Sequence, residues 1–157
     1  STVFVEAFRA KSRVRVLDAR FALVTTTAAD LALAQRLPHV DATAPGRIAM
    51  VHYLCAQALG GTAFYRHRST GFETISTARA APYFAALSHE TALHLPQGYI
   101  SGDTPLFEKI DQVEAVFNRA VFYRSHLLHC GAVPQGAALT DDPLQGRLTI
   151  TGFFAVD

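Results

Sequence analysis

No stretch of this chain is apolar for anything near the roughly 20 residues a membrane span requires. Its opening Ser1-Thr2-Val3-Phe4-Val5-Glu6 lacks the basic segment and long apolar core of a secretory leader. A cytoplasmic protein with no membrane partner is the expectation. Only two cysteines occur, Cys55 and Cys130, which excludes a disulfide-dense secreted scaffold and allows at most one internal bridge. Both stand beside apolar residues, so buried free thiols are expected. An excess of charge of one sign is missing too. Lys and Arg number 14 against 13 Asp and Glu, for a formal net charge of +1. The arginines Arg9, Arg13, Arg15, Arg20, Arg36 and Arg47 are dispersed rather than gathered into a basic face, which speaks against a nucleic-acid partner. The short cluster Arg66-His67-Arg68 reads more simply as a strand end. No tandem repeat or low-complexity linker divides the chain.

What is present is apolar material. With 157 residues, 50% of them hydrophobic, the chain suits a single domain spanning 1–157 with a sizeable core. Turn signals are frequent and helical periodicity is rare. Residues 13–17 alternate basic and apolar side chains and residues 21–26 are β-prone, which predicts two early strands. A short helix is expected over 28–37. Strands follow at 48–55 and 62–68, joined by a turn containing Gly60-Gly61 and preceded by a turn at Pro45-Gly46. The Ala- and Leu-rich stretch 77–95 places Tyr83, Leu87 and Glu90 near helical spacing and stops before Pro96-Gln97-Gly98. A helical turn at 103–109 and strands at 113–117, 120–123 and 147–154 complete the reading. Many strands with little helix between them indicate an antiparallel sandwich or barrel, not repeated βαβ units.

Three residues suggest chemistry. On an extended segment, residues two apart point to the same side, so His39 and Asp41 can grip one ion while Val40 packs away. By itself His-x-Asp is common, and a surface histidine near a turn-forming aspartate is the ordinary alternative. A third ligand is offered by Ser125-His126-Leu127-Leu128-His129-Cys130-Gly131. His129 follows an apolar strand and precedes a turn, where a sandwich would present it at a cavity mouth. His126 is its rival, and three residues separate them, so one regular strand cannot turn both inward. Two imidazoles and a carboxylate would leave half of an octahedral metal open.

Arg147 adds a further constraint. In Arg147-Leu148-Thr149-Ile150-Thr151 the period of two sets Arg147, Thr149 and Thr151 against Leu148 and Ile150. An inward arginine is costly in an empty core, yet its planar fork suits a bound dicarboxylate. A surface arginine on a half-exposed edge strand is the alternative.

The ordered set Leu37-Pro38-His39-Val40-Asp41, Gly46-Arg47-Ile48, Tyr53-Leu54, Gly60-Gly61-Thr62, Leu128-His129 and Arg147-Leu148-Thr149-Ile150-Thr151 resembles the prolyl-hydroxylase branch of the 2-oxoglutarate/Fe(II) dioxygenases. The similarity runs from Pro38 to the C-terminus. Residues 64–73 also resemble a group of bacterial proteins with this layout, which lends no activity of its own. The resemblance implies a double-stranded β-helix, the jelly-roll fold also seen in cupins, with a few flanking helices. It implies that His39, Asp41 and His129 bind Fe(II), that Arg147 pairs with the distal carboxylate of 2-oxoglutarate, and that Tyr53, with Thr149 more weakly, contacts the same end. Ascorbate would serve as reductant, and the oxidised substrate would be a peptide, an amino acid or a small metabolite. In the register the resemblance suggests, Tyr65 and His67 face the cavity as substrate contacts, whereas core packing is the commoner fate of such residues. A non-catalytic jelly-roll protein that keeps these residues for metal or ligand binding is the alternative. A cupin-type isomerase is a third option, one that leaves Arg147 without a purpose. The helix over 77–95 and the loop over 133–146 are longer than the hydroxylases usually have. Oligomeric state is open, a homodimer included.

Overall fold

The computed structural model describes residues 6–8, 13–55 and 59–156. Residues 1–5, read above for a leader, lie outside them. Among the described residues, seven strands form two antiparallel sheets. In chain order they are β1 (Val14–Val24), β2 (Arg47–Tyr53), β3 (Thr62–His67), β4 (Phe107–Val113), β5 (Ala120–Arg124), β6 (His129–Gly131) and β7 (Arg147–Val156). One sheet has the order β1-β7-β2-β5, the other β4-β3-β6. The protein is thus mainly β, with both sheets open. Among the described residues no helix is long and apolar enough to cross a membrane.

The sheets meet through an inner layer. Ala49 of β2 and Tyr123 of β5 pack on Phe64 of β3, with Val51, Val113, Val121, Leu127 and Phe153 around them. Cross-strand pairing explains this layer: Ala49 stands opposite both Tyr123 and Phe153, so all three share a face. The other face of the smaller sheet carries a second core, in which Ala63, Tyr65, Leu128 and Cys130 are covered by Ile75, Tyr83, Ile100 and Phe107. Tyr83 is brought there by the helix α1 (Thr77–Leu93).

Several expectations are corrected. The two early strands are one, because Asp18, Ala19 and Arg20 continue the pairing to β7, with a single register shift between Val16 and Asp18. The helix expected over 28–37 is only a 3-10 turn, Leu33–Arg36. The helix over 77–95 ends at Leu93. The segment read as a helical turn at 103–109 instead leads into β4, where Thr104 accepts from and donates to Phe107 while the Asp103 carboxylate accepts from the Lys109 N–H. These bonds start a strand where the sequence suggested a helical turn. The strand expected at 113–117 is the end of β4 followed by a loop, with Asn118 at φ 64°.

Candidate functional site

The segment bearing His39 and Asp41 is not a regular strand, but it is pinned along its length to the segment bearing His129. His39 and His129 exchange both backbone hydrogen bonds, at 2.8 and 3.0 Å, and the Asp41 N–H donates to the Ser125 carbonyl at 2.8 Å. This ladder extends the smaller sheet by one bridge beyond β6. His129 also stands opposite Phe64 on β3, which turns its ring toward the inner layer and Cys130 toward the outer core.

The ladder brings three acceptors together. The candidate ligand atoms of His39, Asp41 and His129 all lie within 4.8 Å of one another. His129 Nε2 is 3.5 Å from one Asp41 carboxylate oxygen, and His39 Nε2 is 3.9 Å from the other. His129 Nδ1 is 2.8 Å from the Leu127 carbonyl. A carbonyl only accepts, so that nitrogen carries the proton and Nε2 presents its lone pair to Asp41. A backbone hydrogen bond at Leu37 favours the protonated form of the His39 ring, against the effect of burial. The His129 lone pair and the Asp41 carboxylate therefore converge beside the His39 ring.

Burial shapes the protonation of the cluster. The His129 ring is held by His39 and Tyr123, each with its centroid 4.5 Å away, and by Phe64 at 6.5 Å. Burial lowers its pKa to about 4. His39 is also lowered to about 4, by burial and then by His129, against the pull of Asp41. Its side chain is 53% exposed, so solvent weakens this shift relative to that of His129. Desolvation raises the Asp41 carboxyl, and His39 opposes that rise. At neutral pH both imidazoles are ready to coordinate without losing a proton. A cation bonded at about 2.1 Å holds neighbouring ligands about 3 Å apart, closer than the 3.5 and 3.9 Å from Asp41 to the two rings here.

Next to the cluster lies a cavity of about 540 Å³ lined by His39, Arg147, Arg36, Tyr99, Gly131 and apolar groups including Leu23, Leu37, Ile100 and Val133. Two larger hollows, of about 740 and 790 Å³, contain none of the three ligand candidates. Arg147, at the start of β7, is only 6% exposed. Its Nε and Nη2 donate to the Gly60 and Gly61 carbonyls at 3.3 and 2.8 Å. Among the described residues no carboxylate pairs with it and Nη1 has no partner. A buried guanidinium held by two carbonyls and facing a cavity has the charge and planar geometry to receive an anion.

The remaining candidates stand elsewhere. Tyr53 shares the inward face with Arg147, whose Cζ is 6.0 Å from its ring. Its hydroxyl, however, is engaged with Thr62 Oγ1 at 2.6 Å, and Tyr53 does not line the cavity. The Thr149 hydroxyl donates to the Ala22 carbonyl at 3.4 Å, also away from the lining. The expected register of β3 is corrected: Phe64, not Tyr65 or His67, faces the inner layer. Tyr65 is fully buried in the outer core and its hydroxyl reaches the Ile100 carbonyl at 3.5 Å. His67 lies under α1, bonded through Nε2 to Glu90 at 2.8 Å and through Nδ1 to Thr70 at 3.0 Å. His126, the rival ligand, is outside the cluster. Arg36 and Tyr99, which line the cavity, carry no motif that singles them out in the sequence. No curated protein and no solved structure matches the chain. Residues 1–154 match a family described as a family of unknown function (DUF6445), and the chain belongs to that family.

Proposed function

We propose that the protein is a 2-oxoglutarate-dependent Fe(II) oxygenase acting on a peptide, an amino acid or a small metabolite. One observation carries the reading: a His-Asp-His acceptor cluster and a buried, carboxylate-free arginine border the same cavity through His39 and Arg147. The donor set suits iron, since two imidazoles and one carboxylate leave positions open for a chelating co-substrate and oxygen. When bound, Fe(II) with 2-oxoglutarate and oxygen supplies oxidation of a C–H bond coupled to release of succinate and carbon dioxide.

The chain itself contributes placement. His39, Asp41 and His129 would hold the metal, with the Leu127 carbonyl fixing the His129 tautomer. Arg147 would receive the far carboxylate of the co-substrate in its fork, oriented beforehand by the Gly60 and Gly61 carbonyls. Tyr123 and Phe64 close off water behind His129. The strand order supports a jelly roll as well. Counting the His39 segment as a strand after β1 gives two four-stranded sheets whose chain-order positions are 1-8-3-6 and 2-7-4-5.

The test is co-substrate consumption. Purified protein with Fe(II), ascorbate and 2-oxoglutarate should form succinate slowly without added substrate, and His129→Ala should abolish this. Equal rates in wild type and variant would overturn catalysis at this site.

A further inference from the structure

Arg36 enters the same cavity from the 3-10 turn, and its surroundings are as short of negative charge as those of Arg147. The lining includes Arg36, His39 and Arg147 but no aspartate or glutamate. Arg36 Nε donates to the Leu31 carbonyl at 2.9 Å and Nη1 to the Pro96 carbonyl at 3.4 Å. Among the described residues Nη2 has no partner and no carboxylate pairs with this side chain. Two carbonyls thus fix the guanidinium and leave one edge of its fork available, so little side-chain entropy remains to be lost on binding an anion.

Space permits a second occupant. Even at the roughly 30 Å³ that a water molecule takes in the liquid, a co-substrate of roughly ten heavy atoms fills no more than about 300 Å³, which leaves a substantial part of the 540 Å³ cavity. One dicarboxylate on Arg147 also leaves Arg36 without a counter-charge.

We propose that Arg36 anchors a carboxylate of the primary substrate, so that the cavity holds two anionic ligands at once, the co-substrate on Arg147 and a carboxylate-bearing substrate on Arg36. This rests on the oxygenase reading for the identity of the first ligand. The carboxylate has two sources, a free small acid or the C-terminus of a peptide, and the shared chemistry is a carboxylate meeting half of an arginine fork.

The experiment uses the protein loaded with redox-inert Zn(II) and saturating 2-oxoglutarate, with binding read by saturation-transfer NMR. Two matched pairs serve as probes: propionate against propionamide, and N-acetyl-trialanine as the free acid against its C-terminal amide. Wild type should prefer the acid in at least one pair by roughly tenfold, the scale of one charge-assisted hydrogen bond. Arg36→Gln should erase that preference and Arg36→Lys should retain only a fraction of it, because the fork is lost while the charge stays. Binding of 2-oxoglutarate should be unchanged in both variants and weakened only by Arg147→Gln. No acid preference in either pair, or the same preference in Arg36→Gln and wild type, would overturn the assignment. Failure of 2-oxoglutarate itself to bind wild type would instead strike the oxygenase reading, and the acid-against-amide comparison would still decide the role of Arg36.

Discussion

His39 and His129 are joined twice, by reciprocal backbone hydrogen bonds of 2.8 and 3.0 Å and by rings whose centroids are 4.5 Å apart. The backbone pair fixes the spacing of the rings before any metal arrives, so the binding free energy is not spent on assembling the site. A divalent ion should therefore stabilise the folded chain by mass action, about 2.7 kcal/mol at a hundredfold excess over its Kd. Titration of Mn(II) or Zn(II) into chelator-stripped protein should raise the thermal midpoint. His129→Ala and Asp41→Ala should remove the rise, whereas His126→Ala should keep it. A rise that survives in His129→Ala would place the ion elsewhere.

The same burial sets a pH dependence for the metal-free protein. His39 and His129 are lowered from 6.5 to about 4 in the folded chain. Above pH 6.5 both states hold neutral rings and stability is flat. Between 6.5 and 4 the unfolded chain takes up protons that the folded chain refuses, so stability falls as pH falls. His129 accounts for at most about 3 kcal/mol of this loss, and half-exposed His39 for less. Asp41, whose carboxyl is raised, binds its proton more readily when folded and opposes the loss only near the acid end. Urea unfolding at pH 7.5 and pH 5 should give a lower midpoint at pH 5. Saturating Zn(II) should shift the fall to lower pH, because metal and proton compete for the same lone pairs. Equal midpoints at both pH values without metal would contradict the neutral, buried state of these rings.

How much of this was legible in the sequence depends on whether a periodicity was there to read. The spacing of His39 and Asp41 and the alternation of Arg147 and Thr149 are local, and the structure sets the first two side chains beside each other and buries the second two. Strand β3 offers no such alternation, since five of its six residues, Thr62, Ala63, Phe64, Tyr65 and His67, are buried. With core on both faces, its register is set by pairing with β6 and not by polarity, and that pairing turns Tyr65 and His67 away from the inner layer. Arg36 was hidden for another reason. Its place in the cavity arises from the Leu31 and Pro96 carbonyls, one of them far along the chain, and nothing in a dispersed arginine announces such a contact.

Two glycines beside Arg147 should respond in opposite ways to an added methyl group. At Gly61 a Cβ would lie 1.8 Å from the Val113 carbonyl oxygen, a backbone atom with no room to yield. Gly61→Ala should therefore cost about 3 kcal/mol or more and release the carbonyl that holds Arg147 Nη2. At Gly131 the new Cβ would sit 3.7 Å from that same Nη2, in ordinary contact. Gly131→Ala should unfold near the wild-type midpoint while weakening 2-oxoglutarate binding severalfold by narrowing the cavity. Calorimetry of unfolding and of ligand binding on both variants separates the two effects. A Gly61→Ala protein as stable as wild type would show that the Gly60-Gly61 turn is not the fixed cradle of Arg147.

The outer core contains a polar atom that weakens it. Tyr83 is 1% exposed, and among the described residues its buried hydroxyl has no hydrogen-bond partner. Its ring, by contrast, packs edge-on against His67, with centroids 5.1 Å apart. Burying an unsatisfied hydroxyl costs about 1–3 kcal/mol, so Tyr83→Phe should preserve the ring contacts and raise stability by about 1 kcal/mol. Glu90→Ala should do the reverse, because it strips the 2.8 Å partner from a fully buried His67. That loss is about 1–3 kcal/mol. Neither variant should alter metal affinity, since α1 covers the face of the smaller sheet opposite to His129. Denaturant midpoints and metal titrations on the two proteins check this directly. A weakened metal site in Glu90→Ala would mean that the two faces of the sheet are mechanically coupled, and that His67 supports the cluster from behind rather than anchoring the helix alone.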